Sequence, residues 1–256
     1  MSFAKNIIKV VVIAFTFTMV MPVYSVNAQE NEQPSIFDAD FGADLVSRYI
    51  WRGIEFGGNP AVPQFQPYIS FIINASENHS FTIGAWGSYG FTGDYNENDL
   101  SLKYSFSHPE AGTFSVTAND YYYPYLGIPF SNFEDDGNGA HTIELGFSYS
   151  GPEALPINFL VSQNVKNDLP GNESLYIEAG FNTNVNNIAL TFFAGAAKGV
   201  SAWHSISTDK FEFCNIGFNA SKSIKITSDY SLPAGVSWIL NPHLKKTYLV
   251  FKVSVY

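Results

Sequence analysis

Beyond the first forty or so residues, apolar and polar side chains alternate with period two in one segment after another. Leu100, Leu102, Tyr104 and Phe106 alternate with Ser101, Lys103 and Ser105. Ile143, Leu145, Phe147 and Tyr149 alternate with Thr142, Glu144, Gly146 and Ser148. Leu175, Ile177, Ala179 and Phe181 alternate with Tyr176, Glu178, Gly180 and Asn182. Such stretches fold as strands with one apolar face, and helical spacing fails in them. The same pattern, less clean, runs through Phe41–Leu45, Phe65–Ile73, Phe81–Tyr89, Phe114–Ala118, Ile157–Val161, Ile188–Ala194, Cys214–Phe218, Ile224–Tyr230 and Leu249–Val255. The total is about twelve strands, an even number as single-chain outer-membrane barrels have.

The connections carry a second regularity. Short turns are expected at Ala75–Ser80, Ser107–Gly112, Thr183–Asn186 and Asn219–Ser223, with Ser150–Pro156 slightly longer. Long connections are expected at Gly53–Pro63, Pro124–Gly139, Ala197–Lys210 and Pro233–Lys246. Short and long mostly alternate, which puts periplasmic turns at one end of a barrel and external loops at the other. A soluble sandwich has no reason to sort its loops by end.

Composition then decides which face meets what. Charged residues are 14% of the chain, against roughly 25% for an ordinary soluble domain. Hydrophobic residues are 46% and aromatics 16%. A soluble sandwich would bury the apolar faces and show the polar ones to water. Here the polar faces are mostly Ser, Thr, Asn, Gly and Tyr, too poor in charge for such a surface. The expectation is a single all-β antiparallel transmembrane β-barrel, apolar outside and polar in the lumen. A net charge of −10 argues against nucleic acid as a partner. One cysteine excludes a disulfide framework.

The N-terminus reads as an address. Lys5 and Lys9 flank the start of an apolar run from Ile7 to Met21, Pro22 breaks it, and Val26-Asn27-Ala28 ends it. That is the layout of a secretory signal peptide cleaved after residue 28. Losing Lys5 and Lys9 makes the mature chain two units more acidic. Residues 29–36 form a polar linker and residues 37–256 the barrel. The expected location is the outer membrane of a Gram-negative bacterium, among its lipids and lipopolysaccharide.

The segment VSRYIWRGIEFGGNPAVPQF, residues 46–65, resembles the opening of the TorF-type, or Gcw_chp, family of bacterial envelope porins. Ser47, Tyr49, Arg52, Gly53, Pro60 and Ala61 carry the match, with Arg48 where the family has Asp. The resemblance implies an outer-membrane, channel-like barrel and brings no substrate and no catalytic residues. At the other end Tyr256 is a terminal aromatic, the form of signal read by the barrel-assembly machinery. It lies one residue out of phase with the apolar face Leu249, Phe251, Val253 and Val255.

Candidate lumen charges are Asp40, Asp44, Arg48 and Arg52 on the first strand, with Lys103, Glu144, Glu178, Lys225, Asp229 and Lys252 on later ones. Closing the barrel is expected to put Arg48, Arg52, Lys225 and Lys252 on one wall, with Glu144 and Glu178 near the opposite wall. Two readings follow. The charges set a transverse field across a narrow pore for small polar solutes, or they form internal ion pairs that fill a non-conducting structural or adhesive barrel. Tyr68, Trp86, Tyr121, Tyr176 and Phe193 also fall on polar faces, where they either stack on a passing solute or narrow the lumen.

Enzyme chemistry finds little footing. Ser201, His204 and Ser205 share a loop, and His141 lies near Glu134, Asp135 and Asp136, without the geometry of a known hydrolase motif. The loop Phe133–Gly139 offers hard oxygens for Ca²⁺ but not the EF-hand spacing. The histidines show no metal-ligand spacing, so no metal, cofactor or catalytic residue is expected. Cys214 is expected on the lipid face as a small apolar residue.

Overall fold

Alternating strands with nothing to cover their apolar faces leave open edges unless the sheet closes on itself. The computed structural model describes residues 35–58, 61–168, 174–199, 203–204, 206 and 210–256. The signal-peptide segment, residues 1–28, lies outside them, as does residues 29–34 of the linker. Fourteen strands follow in chain order. They are β1 (Phe37–Val46), β2 (Tyr49–Trp51), β3 (Ile54–Phe56), β4 (Gln64–Asn74), β5 (His79–Gly90), β6 (Asn96–His108) and β7 (Gly112–Tyr122). Then come β8 (His141–Ser150), β9 (Ile157–Lys166), β10 (Leu175–Val185), β11 (Ile188–Lys198), β12 (Glu212–Lys225), β13 (Ser231–Asn241) and β14 (Lys246–Val255). A single 3₁₀ turn, Pro124–Leu126, is the one helical element among the described residues.

Twelve of the strands form a closed antiparallel barrel in which each pairs with its sequence neighbour, β1 passes directly to β4, and β14 closes on β1. The closing seam is short, Ala43–Val46 against Lys252–Val255. Ser47 extends it, exchanging hydrogen bonds with the backbone of Phe251 at 2.9 Å each way. The remaining two strands, β2 and β3, pair only with each other.

Both ends of the barrel chain lie at one rim, here the lower one. The lower connections are residues 75–78, 109–111, 151–156, 186–187 and 226–230; the upper ones include 47–63, 123–140 and 199–211. Every long connection is thus at the upper end, which also holds two short ones, 91–95 and 242–245, the latter in place of the long Pro233–Lys246 that the sequence suggests. Two elements differ from the sequence reading. Cys214–Phe218 and Ile224–Tyr230 are not separate strands, and Asn219–Ser223 is not a turn: Glu212–Lys225 is one strand. The segment expected as the loop Pro233–Lys246 holds strand β13. Pro233, Gly235 and Ser237 sit on one face of β13, and its other face is Ala234, Val236, Trp238 and Leu240. Proline is tolerated there near the strand's beginning.

The outer surface is apolar around the whole circumference. Phe41, Phe71, Leu102, Val116, Phe147, Phe192 and Phe251 are all exposed, Phe251 by 58%. The inward faces carry Gln66, Ser88, Glu97, Ser105, Ser115, Glu144, Ser162 and Asn215, all buried. The twist is adjusted by two bulges, one between Ile143 and Glu144 and one opposite Gly195/Ala196. The second bulge corrects the placement of Cys214. It has no Cα partner across the ladder and is fully buried with Tyr176, Ala197 and Ile206, not on the outer face.

Candidate functional site: a hairpin inside the lumen

The connection from β1 to β4 does not stay at the rim. Its strands β2 and β3 form a hairpin, Tyr49 opposite Phe56 and Trp51 opposite Ile54. Arg52 and Gly53 make the two-residue turn, both with positive φ, 50° and 78°. That is the type I′ geometry whose twist suits a tight hairpin. Only glycine fits at 53, where a Cβ would lie 1.8 Å from the Cys214 carbonyl oxygen. Arginine at 52 occupies a left-handed conformation that costs about 1 kcal/mol or more, so something must hold it there.

What holds it is Glu144 on the wall. Arg52 Nη1 donates to Glu144 Oε2 at 2.5 Å and Nη2 to Oε1 at 3.0 Å, a two-pronged pair. The side chains are 9% and 2% exposed. The guanidinium lies over the Trp51 ring at 4.2 Å and the Tyr176 ring at 4.4 Å. Tyr121 donates to Glu144 Oε1 at 3.0 Å and Asn119 at 3.4 Å, fixing the carboxylate. Burial alone would ease the proton off Arg52, but the charge of Glu144 and its hydrogen bonds outweigh this and raise its pKa. The guanidinium stays charged at every accessible pH.

The hairpin reaches across the lumen. One face, Tyr49, Trp51 and Phe56, packs on Tyr95, Tyr121, Tyr123 and Trp203, with Tyr49 also 5.5 Å from Trp86. Ile50 packs on Val46, Ile239, Tyr248 and Val250. Asn241 donates to the Gly53 carbonyl at 3.0 Å, and Gln64 to the Gly57 carbonyl at 3.2 Å. Arg48 pairs with Glu55 within the hairpin region at 3.0 Å. The hairpin thus touches β5, β7, β8, β10, β12, β13 and β14, all round the upper lumen. His204 stacks on Trp51 and Tyr176 at ring distances of 5.6 and 5.7 Å. Burial, with the nearby positive Arg52, pushes its pKa down to about 3, so it is neutral.

Below the hairpin the lumen is lined by small and polar side chains. A cavity of about 260 Å³ borders Ser115, Ser148, Asn158, Glu178 and Gly180. Glu178 accepts from Tyr176 and from Asn215, the latter at 2.8 Å. Lys103 faces this lower lumen and has no ion pair among the described residues.

The expected lumen charges are thus placed as follows. Asp44 and Lys252 face inward and pair at 3.1 Å across the closing seam. Lys225 ends β12 at the lower rim. Asp229 lies in the lower turn 226–230, bonded to Ser228, and is not on a strand. Arg48 and Arg52 are not on the first strand, which ends at Val46; they belong to the hairpin. The expected wall of four cations facing two glutamates does not form, because Arg52 pairs directly with Glu144. Of the resemblance residues, Tyr49, Arg52 and Gly53 build the hairpin and Ser47 the seam, while Pro60 lies outside the described residues. Tyr256 is exposed at the lower end.

Outside the barrel near the upper rim, His141 is buried under Phe130 and Phe133 of the 123–140 connection. Its Nδ1 is 2.9 Å from the Asp120 carboxylate and its Nε2 2.6 Å from the Phe130 carbonyl. Both neighbours are acceptors, so the ring serves as a double donor pinning the loop. Asp135 Oδ1 accepts from the backbone of Asn167 at 2.6 Å and Asp136 at 2.9 Å, which commits that oxygen to loop structure. Among the described residues no group of three or more His, Cys, Asp or Glu is placed to hold a metal ion.

No family model and no curated protein matches the chain. One solved structure similar to it is described as "Unveiling the Mechanism Behind the in-meso Crystallization of Membrane Proteins". The two share 10% identity over 84% of this chain and 82% of that one, with a TM-score of 0.49. A likeness of that degree leaves the function to the geometry of the chain itself.

Proposed function

We propose that the protein is a bacterial outer-membrane porin for small polar solutes, held shut at rest by its own β2–β3 hairpin. The observation that carries the membrane placement is the continuous exposed apolar belt around a polar interior. Burying such a belt in lipid recovers roughly 25 cal/mol per Å² that water would cost. The barrel strands, 10 to 14 residues long, match or exceed the roughly 9–11 needed for a tilted bilayer crossing. Twelve strands enclose more room than side chains alone fill, and here a hairpin takes up the upper part. The N-terminal address and the terminal Tyr256 fit export and delivery to the barrel-assembly machinery, with lipid and lipopolysaccharide as surroundings. The TorF-type resemblance points the same way.

The non-conducting barrel is the second reading, and the ring of contacts around the hairpin favours it. It parts from the first in whether the lumen opens once the hairpin is gone. No catalytic role is proposed. Fractionation and heat-modifiable migration of the unboiled protein test the placement. Liposome swelling in small sugars tests the porin: no swelling beyond protein-free vesicles for the intact chain, and rapid swelling once residues 48–58 are replaced by a glycine-serine linker. A soluble periplasmic protein contradicts the placement. A folded, linker-bearing barrel that admits no sugar contradicts the porin.

A further inference from the structure

The side chain that plugs the lumen is a cation, and the wall that receives it is built to take one. Glu144 presents both carboxylate oxygens to two parallel N–H donors, the geometry that selects a planar guanidinium over a round ammonium. Tyr121 and Asn119 hold that carboxylate in place. The Tyr176 ring supplies a flat face at 4.4 Å. These groups belong to the barrel and remain if the hairpin leaves. The inward positions of β6 to β12 hold Glu97, Asp99, Glu144 and Glu178 against two cations, Lys103 and, at the lower rim, Lys225. Beside Tyr176, the buried Asn215 Oδ1 has no hydrogen-bond partner among the described residues, nor has the buried Ser162 Oγ opposite Tyr176 in the β9–β10 ladder. Buried polar atoms of this kind are normally paired by water or ligand.

We infer that the Glu144–Tyr176 pocket is a recognition site for solutes bearing a guanidinium group, with Arg52 as the chain's own occupant. This rests on the plugged-barrel reading: an arriving guanidinium competes with Arg52 for Glu144, and its binding favours the hairpin's withdrawal. The tethered Arg52 acts at a high effective concentration, so a free competitor binds the intact protein weakly and an Arg52-less protein well.

The test is binding of methylguanidinium to the full chain in detergent micelles, followed by calorimetry and by the change in intrinsic tryptophan fluorescence, to which Trp51 beside the pocket contributes. In Arg52→Ala, methylguanidinium is expected to bind saturably and to raise the unfolding temperature, at least tenfold tighter than in wild type. Methylammonium, of equal charge without the fork, is expected at least fivefold weaker. Arg52→Ala/Glu144→Gln is expected to lose binding. Arg52→Gln, with a longer polar side chain, serves if the alanine variant does not give a heat-modifiable barrel. No saturable methylguanidinium binding to either folded variant, or equal binding of methylammonium, overturns the inference. Because binding is read in micelles without a bilayer, a barrel that binds methylguanidinium yet passes no solute counts against the porin alone.

Discussion

At the scale of single residues the structure concentrates its stakes on Arg52 and Glu144. Removing one partner of a buried pair leaves the other charge uncompensated, at a cost of about 3–5 kcal/mol. Arg52→Ala is therefore expected to destabilise the folded barrel by that order, read as a drop in the denaturant midpoint of tryptophan fluorescence. Arg52→Lys keeps the charge, loses the fork and recovers only part of it. His204 gives a pH signature. Its ordinary pKa of 6.5 falls to about 3 in the folded protein, so the unfolded chain binds the extra proton between those values. Its contribution to stability is complete above about pH 6.5 and lost as the pH falls toward 3. Wild type should take up about one more proton on unfolding than His204→Phe in that window, read from the pH slopes of stability; equal slopes would contradict the buried neutral ring. The sequence marks Arg52 as a lumen charge but not its place in a turn, and it leaves His204 as one loop residue among several. Arg52 passes as the next inward member of a strand, because arginine is not among the usual turn residues and its left-handed φ is imposed by Glu144, which is far away in the chain.

At the scale of elements, the strands most legible in the sequence are those whose two faces differ most, such as β6, β8 and β10. β13 is not legible because its inward face is Pro233, Gly235 and Ser237 and its outward face begins with a small Ala234. Those residues are turn markers elsewhere. β12 reads as two strands because, between Phe218 and Ile224, its outward face holds only a small Ala220 and the charged Lys222. The β2–β3 hairpin is written as Tyr-Ile-Trp and Ile-Glu-Phe around Arg-Gly, two runs of three residues, too short for periodicity to separate from the strand before. The 123–140 connection is pinned by His141 to Asp120 and Phe130. His141→Ala is expected to free it, giving proteolytic cleavage within residues 123–140 at least several-fold faster than in wild type while the barrel remains heat-modifiable. Unchanged cleavage would place the anchor elsewhere.

At the scale of the whole molecule, the inside-out distribution of polarity is what composition and alternation together foretold. The hairpin that fills the upper lumen is what they could not, because its contacts join residues far apart in sequence. The outward belt makes a sided prediction. Val116→Arg, pointing out, should cost about 2–4 kcal/mol in lipid, whereas Thr117→Arg, pointing into the lower lumen, should cost far less; refolding titrations into lipid vesicles compare them. The central claim, that a twelve-stranded barrel is kept closed by an internal hairpin, is tested most directly by single-channel current in planar bilayers. The intact protein is expected to show no steady current, and the barrel with residues 48–58 replaced by a flexible linker a sustained ohmic one. A steady current through the intact protein, or none through the folded linker variant, would contradict it.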